Sequence, residues 1–155
     1  MHTEAKDQHE HDAQGVRCLD EDECWEFLAH HWLGRVALVR LGMPSVFPVT
    51  YVLDGRSIVF RTAPGTKLAR AAVGASTAFE VDEASKLLET GTSVVVQGNL
   101  REVHDHAERL RLSALPLRTW APGERDHFLR VEPLSVTGRS LRPIRLADGL
   151  GADGG

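Results

Sequence analysis

RVALVRLGMPSVFPVTYVLDGRSIVFRT, residues 35–62, decides the fold. It breaks into three β-branched and aromatic runs: RVALVRL (35–41), SVFPVTYVL (45–53) and SIVFRT (57–62). Gly42-Met43-Pro44 and Asp54-Gly55 separate them. Such residues suit a pleated, half-buried strand, and an Asp-Gly pair between two runs signals a hairpin because glycine tolerates the positive φ of its turn. Three successive antiparallel strands are expected. Downstream, STAFEVD (76–82), SVVVQGNLREV (93–103) and HFLRVEPLSVTGR (127–139) bring the strand count to six.

The helical patterns between them are short. Asp20 followed by Glu23 makes a capping box, and Trp25, Leu28 and Trp32 repeat at helical spacing as an apolar face, with Gly34 expected to end that helix. TKLARAAV (66–73) and DHAERLRLSAL (105–115) are the others. Parallel βαβ units need a substantial crossover after each strand, and these segments do not supply one. A mainly β chain results: a six-stranded antiparallel β-barrel with short peripheral helices, since closure removes exposed sheet edges. Residues 1–17 and 144–155 read as disordered tails, leaving 18–143 as the folded domain.

Bulk properties narrow the function. The 155 residues suffice for one domain, and 42% hydrophobic content supplies a core. A formal charge of −4 without a basic stripe argues against nucleic acid as a partner. No apolar run reaches the ~20 residues of a membrane span, and the start MHTEAKDQHEHD is not a signal peptide. Cys18 and Cys24 form neither a redox pair nor a zinc motif, so reduced thiols and a cytoplasmic location are expected.

Chemistry concentrates between Arg61 and Leu68. Arg61 and Thr62 finish a strand, Ala63-Pro64-Gly65 turns the chain, and Thr66 is placed to cap a helix beginning at Lys67. A phosphate needs several donors to replace its hydration. Here it would meet a forked guanidinium, an ammonium, two hydroxyls and free backbone N–H groups. The order Gly-Thr-Lys is not a P-loop, and there is no GxGxxG. Spacing alone thus defines an anion site, with a solvated surface turn as the alternative.

Elsewhere, His104-Asp105-His106 could face a metal but lacks a third ligand nearby, and a solvated helix start is the simpler reading. His30-His31 suits a helix C-terminus. His127 follows Gly-Glu-Arg-Asp, and no Ser-His-Asp or Cys-His constellation stands out.

Five ordered blocks resemble the pyridoxamine 5′-phosphate oxidase-like flavin-binding split barrels, particularly their short actinobacterial members. They are LGRV (33–36), VFPVTY (46–51), VFRTAPGTKL (59–68), SVVVQG (93–98) and LPLRTWAPG (115–123). The resemblance covers about 19–139. It implies a homodimer with flavin between the subunits, the phosphate held by Arg61, Thr62, Thr66 and Lys67. It also implies that the backbone of Pro48, Val49, Thr50 and Tyr51 runs beside the ring, that Phe60 and Ser93 contribute to the cofactor site, and that Trp120 approaches from the other subunit. FMN is the cofactor implied, with the deazaflavin coenzyme as the alternative, for which Arg70 could add a cationic group.

The implied activity is FMN-dependent oxidoreduction, from a reduced nicotinamide to a small organic acceptor, with no catalytic side chain because the redox chemistry belongs to the cofactor. A non-catalytic flavin or haem carrier, or a ligand sensor, is the alternative class. The chain departs from the family in two places. Gly91-Thr92-Ser93 stands where relatives commonly have Gly-Trp-Ser, and nothing in VTGRSLRPIRLADGLGADGG matches the oxidases' C-terminal block, so oxidation of pyridoxamine phosphate itself is not implied.

Overall fold

The computed structural model describes residues 15–143 except 64, 67, 69–73 and 118–126. In chain order it forms β1 (Val16–Leu19), α1 (Glu21–Ala29), β2 (Leu33–Arg40), β3 (Met43–Leu53), β4 (Ile58–Thr62), β5 (Ser76–Ser85), β6 (Thr90–Glu102), α2 (His106–Ser113) and β7 (His127–Leu141). The expected helix over 66–73 falls largely outside the described residues. Among the described residues no helix is long and apolar enough to cross a membrane.

The strands run β7-β4-β3-β2-β5-β6, every pairing is antiparallel, and a further β6–β7 pairing closes the ring. The mainly β, six-stranded split barrel expected from the sequence is therefore the observed fold. A seventh strand is added outside the ring: β1 pairs with the end of β7, Val16 opposite Leu141. It begins inside the stretch 1–17 that reads as a tail.

Alternation along the strands sorts side chains into two layers. Ile58, Phe60, Leu129 and Val131 point into the barrel with Val36, Phe79 and Val96, whereas Val59 and Phe128 point outward and pack with Val103 and Leu112 of α2. Phe60 and Phe79 are wholly buried, each stabilising the fold by about 1.5–3 kcal/mol relative to exposure.

Helix α1 closes one side. Glu23 N–H donates to Asp20 Oδ1 at 2.8 Å and Asp20 N–H to Glu23 Oε2 at 2.8 Å, completing the capping box. Its end differs from expectation. The C-cap is His30, and His30 and His31 each set Nδ1 against a carbonyl of the last turn, Glu26 O at 2.8 Å and Phe27 O at 2.7 Å. Gly34 instead lies buried in β2, where an added Cβ would stand 2.3 Å from the Phe79 ring, so close packing, not capping, requires it. Trp25 is buried but Trp32 lies beyond the helix and is 53% exposed, so it is not part of the core. Cys24 is enclosed too, and burial pushes its thiol up to about 11, which keeps it an inert thiol.

The first hairpin turns at Leu41-Gly42, both at positive φ (51° and 75°), as a two-residue loop demands, while Met43 and Pro44 already belong to β3. The second turns at Asp54–Ser57 with Gly55 at φ 60°. A buried cation holds this turn. Arg130 of β7 donates from Nη2 to Asp54 Oδ2 (2.6 Å) and to Glu108 Oε1 of α2 (2.8 Å), and from Nη1 to Ser57 Oγ. Arg111 of α2 forks onto the same Asp54 carboxylate at 2.7 and 2.8 Å.

Opposite the β7 bulge at Leu134, a Cβ on Gly98 of β6 would lie 2.0 Å from the Glu132 carbonyl oxygen, backbone that cannot step aside. Gly98→Ala should cost about 1–3 kcal/mol in urea denaturation. Hydrogen bonds from Arg111, with those from Arg130, hold the Asp54 carboxyl well below the ordinary carboxylate range against its partial burial. A carboxyl depressed in the folded state stabilises fully above its unfolded pKa, about 3.9, and loses that contribution as pH falls below it. Asp54→Asn should be less stable than wild type at pH 7, and the gap should close as the pH of the denaturation series drops below about 4.

Candidate functional site

Strand β4 ends on Arg61 and Thr62, and successive strand residues face opposite ways. Thr62 follows Phe60 and Ile58 on the inward face, where it is buried. Gly65, at φ 75°, reverses the chain so that Thr66 N–H donates to Ala63 O at 3.4 Å. That turn sets the two hydroxyls together, Thr62 Oγ1 and Thr66 Oγ1 lying 2.9 Å apart at the end of the barrel. Arg61 takes the outward face, its guanidinium 4.7 Å above the centre of the Phe128 ring. A cation over an aromatic face is held without losing its hydrogen-bonding edge. Of the expected cradle, Thr62 and Thr66 come together at the strand end, while Arg61 projects from the strand's opposite face. Lys67 and Trp120 lie outside the described residues.

Strand β3 presents the neighbouring surface. It pairs with β4 only through Tyr51–Leu53, Tyr51 opposite Phe60, although its pairing with β2 extends to Met43. From Met43 to Val49 the backbone edge toward β4 has no strand partner among the described residues. Backbone N–H and C=O groups on such an edge are obligatory hydrogen-bonding groups in search of partners. Beyond the Tyr51–Phe60 pair, alternation puts Thr50 and Arg61 on the outward face and Val49 on the inward face. Pro48 is exposed there, opposite Arg35 of β2.

Two expected site residues turn their side chains away. Tyr51 is buried, its hydroxyl donating to Leu28 O at 2.5 Å and its ring edge-on to Phe79 with centroids 4.9 Å apart. Burial alone pushes that phenol up, so it stays protonated. Phe60 is fully enclosed in the core. Neither side chain is available to a ligand, and the Tyr51 N–H is itself donated to Trp32 O at 2.9 Å.

Ser93 lies farther around the barrel, half-buried on β6 between Asp82 of β5 and Arg139 of β7. With Arg139, Val95, Gln97 and Thr137 it lines a shallow groove of about 350 Å³. Arg139 went unnoticed in the sequence, yet strand alternation from Ser93 and its register partner would have found it. Between Ser93 and Pro48 the outward sheet face carries Arg35, paired with Asp82 at 2.5 Å and Glu80 at 3.7 Å. Burial first, then the Asp82 charge, pushes the Glu80 carboxyl up, with Arg35 opposing both.

His104 is largely exposed, and among the described residues no group of three or more His, Cys, Asp or Glu side chains could hold a metal ion. Asp105, between the two histidines, caps α2 by accepting from Glu108 N–H at 2.8 Å.

A guanidinium and two hydroxyls beside an open strand edge suit a ligand with an anionic group and a planar, hydrogen-bonding body. Fold and site together define a split-barrel protein whose β4 end carries a guanidinium and a pair of hydroxyls. Residues 20–140 match the family model of pyridoxamine 5′-phosphate oxidase, and the chain belongs to that family. An uncharacterized protein of Mycobacterium tuberculosis is 36% identical over 132 residues, 81% of this chain and 86% of its own length. Among solved structures, the FAD binding protein from Mycobacterium smegmatis is 36% identical, with 81% of this chain and 98% of that one covered at a TM-score of 0.71. The FAD-binding protein from Mesorhizobium loti is 28% identical, with coverages of 81% and 97% and a TM-score of 0.67. The family and its flavin-binding members agree with the resemblance read from the sequence blocks.

Proposed function

We propose that this protein binds a flavin nucleotide and uses it as an oxidoreductase, passing electrons from a reduced nicotinamide to a small organic acceptor. The observation that carries the reading is the juxtaposition of the Thr62–Thr66 hydroxyl pair and Arg61 with the unpaired edge of β3. A phosphate at the strand end would accept from the hydroxyls and the guanidinium, joined by Lys67 from the following residue of the motif. The isoalloxazine ring, with donors and acceptors along one edge, would lie beside the backbone of Pro48, Val49 and Thr50, where the Pro48 carbonyl is an acceptor on the open side. FMN and FAD share both features, and FAD is what the M. smegmatis and M. loti relatives bind by name.

The flavin would supply the redox chemistry, and the protein's part would be binding, orientation and exclusion of water. No side chain is assigned as acid or base. A second copy of the chain is proposed to complete the site, because an open edge and an outward sheet face bearing the half-buried Arg35 need a cover. Trp120 would reach the flavin from that copy.

Titration of the purified protein with FMN, FAD and the deazaflavin coenzyme, followed by quenching of cofactor fluorescence, tests the reading directly. Saturable flavin binding that supports nicotinamide oxidation is the expected result, and binding without turnover would instead make the protein a carrier. Arg61→Ala combined with Lys67→Ala should weaken FMN binding by about 3 kcal/mol or more if both groups pair with its phosphate. Unchanged affinity in that variant, with its circular dichroism intact, would reject the cradle.

A further inference from the structure

His127 has a place in the site that neither its motif nor the family blocks assign. It opens β7 directly across from Thr62 of β4, and cross-strand partners project on the same face. Their Cβ atoms are therefore about 4.5–5.5 Å apart, within reach of one small anionic group. The His127 imidazole is not loose. Its Nδ1 lies 2.5 Å from Glu102 Oε1 on β6, the strand that flanks β7 on its other side. Glu102 is opposite Leu129, two residues along from His127 on the same face, so the barrel closure itself brings acid and imidazole together. Threonine, histidine and glutamate thus form a row across three adjacent strands at the barrel end.

The chemistry of that row has one consistent arrangement. A carboxylate only accepts, so the contact with Glu102 puts a proton on Nδ1 and leaves Nε2 as the atom that can meet a ligand. With a proton on Nε2 as well, the ring donates to a phosphate oxygen while Glu102 balances its charge. The imidazole also stands between the Glu102 carboxylate and the Thr62 hydroxyl, so an anion there meets a donor before it meets a negative charge. His104 approaches the same carboxylate at 3.8 Å but is 80% exposed, which leaves it a bystander.

We propose that His127, held in orientation by Glu102, is a further contact for the phosphate of the nucleotide bound at Thr62 and Thr66. The proposal rests on the flavin-nucleotide reading above, and its test separates the two. FMN and riboflavin differ only by the phosphate, so their dissociation constants, measured by fluorescence quenching on the full chain, isolate that contact.

Wild type should bind FMN more tightly than riboflavin. His127→Ala should weaken FMN binding about tenfold, as loss of a charge-assisted hydrogen bond does, and leave riboflavin within about twofold of wild type. His127→Gln, whose amide nitrogen falls near the position of Nε2, should recover part of the FMN affinity. Glu102→Ala should lower FMN affinity alone, through the unheld imidazole. A structural role would instead move both ligands together. Equal losses for FMN and riboflavin, or no loss for either, would overturn the assignment while the flavin reading stands. A wild type that does not discriminate FMN from riboflavin, or binds neither, would overturn both.

Discussion

The architecture depends on one strand that must satisfy three partners. β7 pairs with β4 over its first residues, with β6 along nearly its whole length and with β1 at its end. β7 is flanked on both sides only toward its two ends, exchanging β4 opposite His127–Val131 for β1 opposite Gly138–Leu141, with β6 alone beside it in between. The exchange splits the barrel. It also shapes the site, because β4 is only as long as its pairing with β7 permits and stops at Thr62, while β3 continues past it. The open edge of β3 is the geometric remainder of closing the barrel through β7.

The same strand supplies the electrostatic lock. Arg130 is 7% exposed and cannot lie among apolar neighbours without acceptors, since an unpaired buried charge costs several kcal/mol. Its acceptors come from two other elements, the Asp54–Ser57 turn and Glu108 of α2, so satisfying one cation fixes the β3–β4 hairpin and α2 against β7. Replacing the network by apolar residues could be neutral for stability, but breaking it on one side strands the remaining charges. Its position gives it a second consequence. Arg130 is two residues from Phe128, on which Arg61 rests, so the lock also holds the platform for the guanidinium.

Much of this was legible in the sequence, where the signal is local. Strand periodicity in 35–62, the Asp54-Gly55 turn and the Asp20–Glu23 box each involve residues within a few positions, and all three are found. β1 was not legible, because four residues, VRCL, carry little periodicity and their partner lies about 120 positions away. Nor was the depth of Arg130, which only the three converging acceptors explain. Gly34 was misread as a helix stop for a related reason: glycine serves both turns and tight contacts, and only the Phe79 ring across the barrel distinguishes the two. The opposite facing of Arg61 and Thr62 could have been inferred, since it follows from their being neighbours in a strand.

That opposition bears on why the motif needs both residues. A ligand group at the end of a strand can be approached from above by one side chain and from below by the next, so adjacent residues of different reach grip it from two sides. The longer, charged residue takes the solvent face, where carrying a full charge costs little. The small hydroxyl takes the buried face, where it is already paired with Thr66. Reversing the two would bury a guanidinium among Ile58 and Phe60 and leave the hydroxyl in water. The order Arg-Thr at this strand end is therefore set by the barrel's inside and outside before any ligand is considered, and the proposed anion site draws on what that constraint allows.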